Sequence, residues 1–126
     1  MFLIENNCII SKPVLNNARY DLLLDYNNKI YRIQIKTSRW SVVGETIVFN
    51  CKSQHSISQG NKIMKYSPDE VDFFMTEWDN NFYLIPCDKE RAQFTLRIAD
   101  PNDNAKFVKD LHWAKDYLAL NIINTL

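Results

Sequence analysis

Glycine is nearly missing from this chain. Among 126 residues there are two glycines, four prolines, two histidines and three cysteines. Each shortage excludes something. Cys8, Cys51 and Cys87 are odd in number and widely spaced, which argues against a disulfide framework and for a reducing, cytoplasmic setting. Cys51 and His55 are close in sequence, but beyond them only His112 remains and no second pair has zinc-ligand spacing. No apolar run reaches the roughly 18 residues that a bilayer span needs, so no membrane partner is expected. The opening MFLIENNCIISKP has neither a basic leader nor a small-residue cleavage site, unlike a secretory signal. Repeats, low-complexity tracts and linkers are lacking as well. One domain over residues 1–126 is expected, and 46% hydrophobic content is enough to build its core.

Net charge is lacking too, with 15 basic and 15 acidic side chains, but the balance is uneven. Between Lys29 and Lys65 there are seven basic residues against Glu45 alone, whereas residues 66–126 carry six basic and eleven acidic ones. A basic middle of this kind can attract a polyanion.

With glycine scarce, the pairs Asn6-Asn7, Asn16-Asn17, Asn27-Asn28 and Asn80-Asn81 are expected to make the turns, because asparagine tolerates the left-handed backbone. Short strands are read between them: CIISK, RYDLLLDY, KIYRIQIKT, ETIVFNCK, EVDFFMTEW, NFYLIPC and QFTLRI. From Asp103 the period becomes helical, with Phe107, Leu111, Ala114 and Leu118 on one side, giving a C-terminal helix over about 103–121. A short helix is also expected near residues 60–66. The outcome is an α/β fold built on a mixed sheet.

The hairpin YDLLLDYNNKIYRIQIK carries the chemistry. A turn centred on Asn27-Asn28 sets Asp21 opposite Gln34 and Arg19 opposite Lys36. Tyr20, Leu22, Leu24, Tyr31, Ile33 and Ile35 then share a core face, and Asp21, Gln34 and Lys36 share the other. Opposed Cβ atoms are about 5 Å apart and alternate residues about 7 Å, so these three groups can converge on one ion or phosphate. Asp25 lies roughly 13 Å along the strand, too far to join them. Leu23 and Ile30 on the same face imply a cover. A solvated polar face and a metal–phosphate site both remain open on this pattern.

Asp21 followed across a hairpin by Gln34-Ile35-Lys36 resembles the PD-(D/E)XK nuclease superfamily, and the glutamine variant is similar to its group I intron homing endonuclease branch. YSPDEVDFF, FYLIPCD, TLRI and WAKDY resemble that branch's later strands and terminal helix in the same order. The resemblance implies a restriction-endonuclease-like fold with flanking helices. It implies a Mg²⁺-dependent DNA endonuclease, homing-endonuclease- or resolvase-like, with Mn²⁺ able to substitute. Its gene would belong to a phage or mobile element. Asp21, Gln34 and the Ile35 carbonyl would ligate the ion, all hard oxygen donors, and Lys36 would stabilise charge on the phosphate. Arg19, Thr37, Ser38, Arg39, Lys52, Lys62 and Lys65 would bind DNA. Cleaving both strands needs two sites, so a homodimer or homotetramer is expected. Tyr66 and Asp72 correspond to framework positions.

One departure matters. Members of the superfamily open with a helix that bears a glutamate facing the site, and too few residues precede Cys8 for a stable helix. The N-terminal helix is therefore shortened or absent, with Glu5 the one acid on hand. Glu5 acts from a short turn, a partner subunit supplies the group, or the chain is a catalytically inactive DNA-binding or regulatory relative.

Overall fold

The computed structural model describes residues 2–5, 8–14, 18–41, 45–57, 60–98 and 112–126. Strand β1 (Ile9–Ser11) pairs with β2 (Leu22–Tyr26), which turns into β3 (Lys29–Ile35). Both turn residues, Asn27 and Asn28, have positive φ (54° and 64°), the backbone that a two-residue hairpin with the right twist demands. The register is the expected one, with Leu22 opposite Ile33 and Tyr26 opposite Lys29. A second hairpin joins β8 (Phe73–Trp78) to β9 (Asn81–Pro86), with its left-handed residues at Asp79 and Asn80. That turn sits one residue earlier than the sequence suggested, since Asn81 already pairs with Trp78. The pairs Asn6-Asn7 and Asn16-Asn17 lie outside the described residues. Strand β3 runs parallel to β8, which completes a mixed sheet in the order β1-β2-β3-β8-β9.

Alternation gives this sheet two unlike faces. The front face buries Leu22, Leu24, Ile33, Phe73, Met75 and Leu84 beneath two helical pieces. One is α1 (Phe2–Glu5), a single turn whose Leu3 is fully buried and whose Phe2 stacks on Phe82 at 4.3 Å. The other is α2 (Ala119–Ile123), which contributes Ala119 and Ile123. The back face is half covered. Phe74, Tyr83 and Ile85 pack against Ile47, Phe49, Phe94 and Leu96 of a second sheet in the order β10-β5-β4. Its strands are β4 (Arg39–Trp40), β5 (Thr46–Asn50) and β10 (Gln93–Arg97). The β2–β3 half of the back face carries Asp21, Leu23, Ile30, Arg32, Gln34 and Lys36.

Three expectations need correction. The helix foreseen near 60–66 is a strand: β6 (Lys52–Ile57) and β7 (Gly60–Lys65) form a separate two-stranded ribbon. Pairing of its backbone with β6 outweighs a weak helical pattern, and Gly60 supplies φ +119° where β7 begins. The C-terminal helix is not continuous. Residues 103–111 fall outside the described set; beyond them comes a 3₁₀ turn (Ala114–Tyr117), then extended Leu118, then α2. Leu118 breaks the helix because it bridges to Tyr83 along β9. Finally, Ile35 is 43% exposed and Ile30 64%, so one drops out of the core and the other has no cover among the described residues.

Candidate active site

The residues singled out on the hairpin do come together, on the open half of the back face. Just before β2, Asp21 donates its backbone N–H to the Ile33 carbonyl. Its carboxylate Oδ2 accepts the Ile35 N–H at 2.9 Å. The Gln34 side-chain nitrogen faces the Ile35 carbonyl at 3.4 Å. Asp21, Gln34 and the Ile35 peptide thus form one compact cluster. Its donors are a carboxylate, an amide and a carbonyl, all oxygen ligands that suit a hard cation keeping part of its water shell. Among the described residues no group of three or more His, Cys, Asp or Glu side chains could hold a metal, so a site rich in carboxylate or thiolate is not built here.

Lys36 leaves the end of β3 half-buried, its N–H donating to Met75. Its ammonium donates to the Lys52 carbonyl at 2.9 Å and to Asn50 Oδ1 at 3.4 Å, and lies 4.9 Å from the centre of the Tyr66 ring. Burial lowers its pKa below the ordinary lysine value, and nearby Arg19 lowers it further, while Cys51 and Asp21 act in the opposite sense. The Cys51 thiol beneath is pushed up to about 11, chiefly by burial, and is neutral at physiological pH.

Arg19 also lies over the same ring, 4.2 Å from its centre. Nε bonds Glu70 at 2.9 Å, Nη1 donates to Ser53 Oγ, and Nη2 donates to the Lys65 and Met64 carbonyls at 3.1 and 3.5 Å. Its guanidinium is engaged with protein and ties the root of the β6–β7 ribbon to the core. Tyr66, 5% exposed, is thereby a shared platform for two cations, an arrangement that favours both electrostatically. Residue order alone did not show this, because Tyr66 is remote from Arg19 and Lys36 in sequence.

Asp72 has a partner that the sequence also left unmarked. It accepts the Arg32 backbone N–H at 2.7 Å and both Nε and Nη2 at 3.1 Å. Arg32 reaches on to the Pro68 and Asp69 carbonyls. The lock fixes the middle of β3 to the segment before β8, holding the motif strand in register. Burial works against the charge on Asp72, and the bonds from Arg32 overcome it and keep its pKa below the usual carboxylate range.

The other residues named from sequence are dispersed. Thr37 and Arg39 are exposed, while Ser38 Oγ donates to the Glu77 carbonyl at 2.8 Å. Thr37 and Ser38 border a cleft of about 350 Å³, whose wall includes Thr76 with a buried hydroxyl that has no hydrogen-bond partner among the described residues. Lys52 and Lys65 are directly paired at the ribbon's root, and Lys62 is exposed further along it. Glu5 is exposed on α1, which packs on the front face, opposite to Asp21, Gln34 and Lys36.

The architecture has known counterparts. A bacterial homing endonuclease, I-Ssp6803I, superposes with a TM-score of 0.72 at 16% sequence identity, covering 99% of this chain and 85% of that one. This likeness shows the restriction-endonuclease-like α/β fold. No curated protein sequence matches the chain. The family model described as PD-(D/E)XK endonuclease matches residues 1–120, nearly the whole sequence, and the chain belongs to that family.

Proposed function

We propose that this protein is a Mg²⁺-dependent DNA endonuclease that hydrolyses phosphodiester bonds at the Asp21–Gln34–Lys36 cluster. The observation that carries the reading is the Asp21 carboxylate hydrogen-bonded to the peptide of the Gln34-Ile35-Lys36 strand. It brings the family's acidic position and its lysine strand together across the hairpin. Asp21, Gln34 and the Ile35 carbonyl would hold Mg²⁺, or Mn²⁺ in its place. When bound, the ion would polarise the scissile phosphate and acidify a water.

The chain's own groups do the rest. The Ile35 N–H fixes one oxygen of Asp21, leaving the other lone pairs to face outward. Gln34 has its amide nitrogen toward the Ile35 carbonyl, so presenting its oxygen there takes a half-turn of the amide. Lys36 supplies positive charge to the phosphate oxygens as they gain negative charge, and Tyr66 limits where its ammonium can go. Arg32–Asp72 keeps the strand from shifting under load. Arg19, engaged by Glu70 and the ribbon, serves as a fastening beside the site; phosphate contacts fall to Thr37, Arg39, Lys52, Lys62 and Lys65. Because one chain carries one such cluster, cutting both strands calls for a homo-oligomer. Glu5 stays out of the proposed mechanism, since α1 lies on the opposite face.

Incubating the protein with supercoiled and branched DNA, with and without Mg²⁺, tests the reading. Mg²⁺-dependent nicking that Asp21→Ala abolishes is the expected result. Nicking by Asp21→Ala at the wild-type rate would remove the cluster from the chemistry.

A further inference from the structure

Strands β4, β5 and β10 bury one face of their sheet and leave the other to solvent. Ile47, Phe49, Phe94 and Leu96 pack toward the first sheet, so alternation turns Val48, Asn50, Gln93 and Thr95 outward. The register sets Gln93 opposite Asn50 in one rung, and Thr95, Val48 and Arg39 abreast in the next. An open cleft of about 230 Å³ lies on this face, and its walls include Arg39, Val48, Gln93 and Thr95. Val48 is 7% exposed, whereas Arg39, Gln93 and Thr95 are exposed. Among the described residues, none of those three polar side chains is bonded to another group. Glu45, beside the following rung, is paired with Arg97 at 2.7 Å, which offsets its charge.

We infer that this cleft is a subsite for one phosphodiester of the DNA strand, away from the scissile bond. It rests on the endonuclease reading and adds how the strand is held there. Arg39, Gln93 and Thr95 bring a guanidinium, an amide and a hydroxyl to one space, and all three can donate to phosphate oxygens. Size favours a group on a longer chain. The volume is below the roughly 300–1,000 Å³ of pockets that enclose a whole small molecule. Charge favours a diester. A single guanidinium matches its one negative charge better than the −1.5 to −2 that a phosphate monoester carries at about pH 7. Placement ties the cleft to the catalytic cluster. The Lys36 ammonium lies 3.4 Å from Asn50 Oδ1, and Asn50 is the partner of Gln93. The Arg39–Val48–Thr95 rung is about 7 Å further along the strands. The cleft is therefore roughly 10 Å from the lysine, two to three nucleotides at about 3.4 Å each. Contacts of this kind carry no base information, so they hold every sequence alike. Gln93 and Thr95 thus join Arg39 as DNA ligands, although neither carries a charge that would mark it in the sequence.

The test measures duplex binding with Ca²⁺ in place of Mg²⁺, for wild type and for variants of the three exposed residues. Arg39→Ala should make the log–log salt slope shallower by about 0.9, the value of one phosphate, and Arg39→Lys should restore it. Gln93→Ala and Thr95→Val should each weaken binding about three- to tenfold with little change of slope. These losses should be the same on unrelated sequences. The triple variant should lose less than the product of the three, because the side chains share one ligand. Replacing phosphodiesters one at a time by neutral methylphosphonates locates the contact. One position should weaken wild type and leave the triple variant unaffected. An unchanged slope in Arg39→Ala, or no position whose effect the triple variant abolishes, would overturn the inference. So would an abasic nucleotide whose effect the triple variant abolishes, since the cleft would then hold a base. Nicking of plasmid by Mg²⁺ is scored separately. Binding that depends on the cleft, without nicking, would refute the catalytic reading and leave the subsite standing. Nicking with an unchanged slope in Arg39→Ala would do the opposite.

Discussion

Two basic hairpins, β2–β3 and β6–β7, lie side by side and are joined by Arg19, yet they are built on opposite plans. In β2–β3, alternate residues Leu22, Leu24 and Ile33 are no more than 1% exposed, and the polar alternates Asp21, Gln34 and Lys36 share the other face. Hydrophobic alternation fixes the register there, because a one-residue slip would expose the whole apolar set. In β6–β7 none of the described side chains is buried, and Ile63 is largely exposed. That ribbon is held by its backbone ladder and by the clasp of Arg19 on Glu70, Ser53 and the Met64 and Lys65 carbonyls. The difference matches the proposed duty of β2–β3, because a catalytic cluster needs groups fixed to within a fraction of an ångström and belongs on a strand anchored in a core.

Truncating the core side of β2–β3 gives the largest expected effect. Leu24 is fully buried among Leu22, Ile33, Leu84 and their neighbours. Leu24→Ala should cost about 2–5 kcal/mol in denaturant unfolding, through lost burial and the cavity left behind. A loss well under 1 kcal/mol would mean that the hairpin is not what anchors the site.

Next comes Lys36→Ala. Removing one preorganised positive donor should lower single-turnover cleavage by about 10²–10³-fold, with DNA affinity within several-fold because the phosphate footprint has many members. The variant leaves the Lys52 carbonyl without the Lys36 ammonium and the Tyr66 ring with Arg19 alone, and it keeps the hairpin intact. Cleavage within a few-fold of wild type would transfer catalysis away from this lysine.

The same contrast explains what the sequence made legible. The β2–β3 hairpin announced itself through alternating apolar residues around Asn27-Asn28, and its register came out residue for residue. That register was enough to place Asp21, Gln34 and Lys36 on one face. The ribbon gives no such signal: KSQHSI and GNKIMK are too polar for a clear period, so a short helix near residues 60–66 is expected where β7 lies. The C-terminal helix failed for another reason. Ala114 and Leu118 do have helical spacing, but Leu118 is claimed by a bridge to Tyr83, a long-range pairing that local pattern cannot contain. Partners of Arg19 and Arg32 were hidden likewise. Glu70 and Asp72 are far along the chain, and a basic residue's charge says nothing about which acid will meet it.

The Arg32–Asp72 lock sharpens the comparison by giving β3 a pH-dependent anchor. Asp72 has a depressed pKa, so its contribution is fully present above the ordinary carboxylate value of 3.8 and is lost as pH falls through the folded value. Lys36 also has a lowered pKa, so its slope has the same sign in a higher window: burial penalises its charged form, and stability rises as pH climbs from the folded value toward 10.5. Thermal melts of wild type and Asp72→Asn between pH 2 and 7 separate the acid limb. The Asp72→Asn variant should be less stable near neutrality, and its difference from wild type should shrink as the pH drops below about 4. A difference that is constant over the whole range would show that the bond geometry, and not the charge of Asp72, holds the strand.

Ile63→Ala should have the smallest effect, and it bears most directly on the contrast between the hairpins. Ile63 is 59% exposed in the single chain, so little apolar surface is lost with its side chain and no cavity forms. Unfolding free energy should change by no more than about 0.5 kcal/mol, the range of surface substitutions. The matched comparison is Leu24→Ala, which deletes an aliphatic side chain from the other hairpin at a site with no exposure. Measuring both at several protein concentrations distinguishes two ways of being wrong. A loss above about 1.5 kcal/mol at every concentration would place Ile63 in a core of its own chain, contrary to the ribbon's free mounting. A loss that grows with concentration would instead place Ile63 against a second subunit, because association stabilises the folded chain by mass action. Ile63 would then belong to an assembly surface. A small loss at all concentrations leaves Ile63 on a solvent-facing rung of the ribbon, in contrast to Leu24.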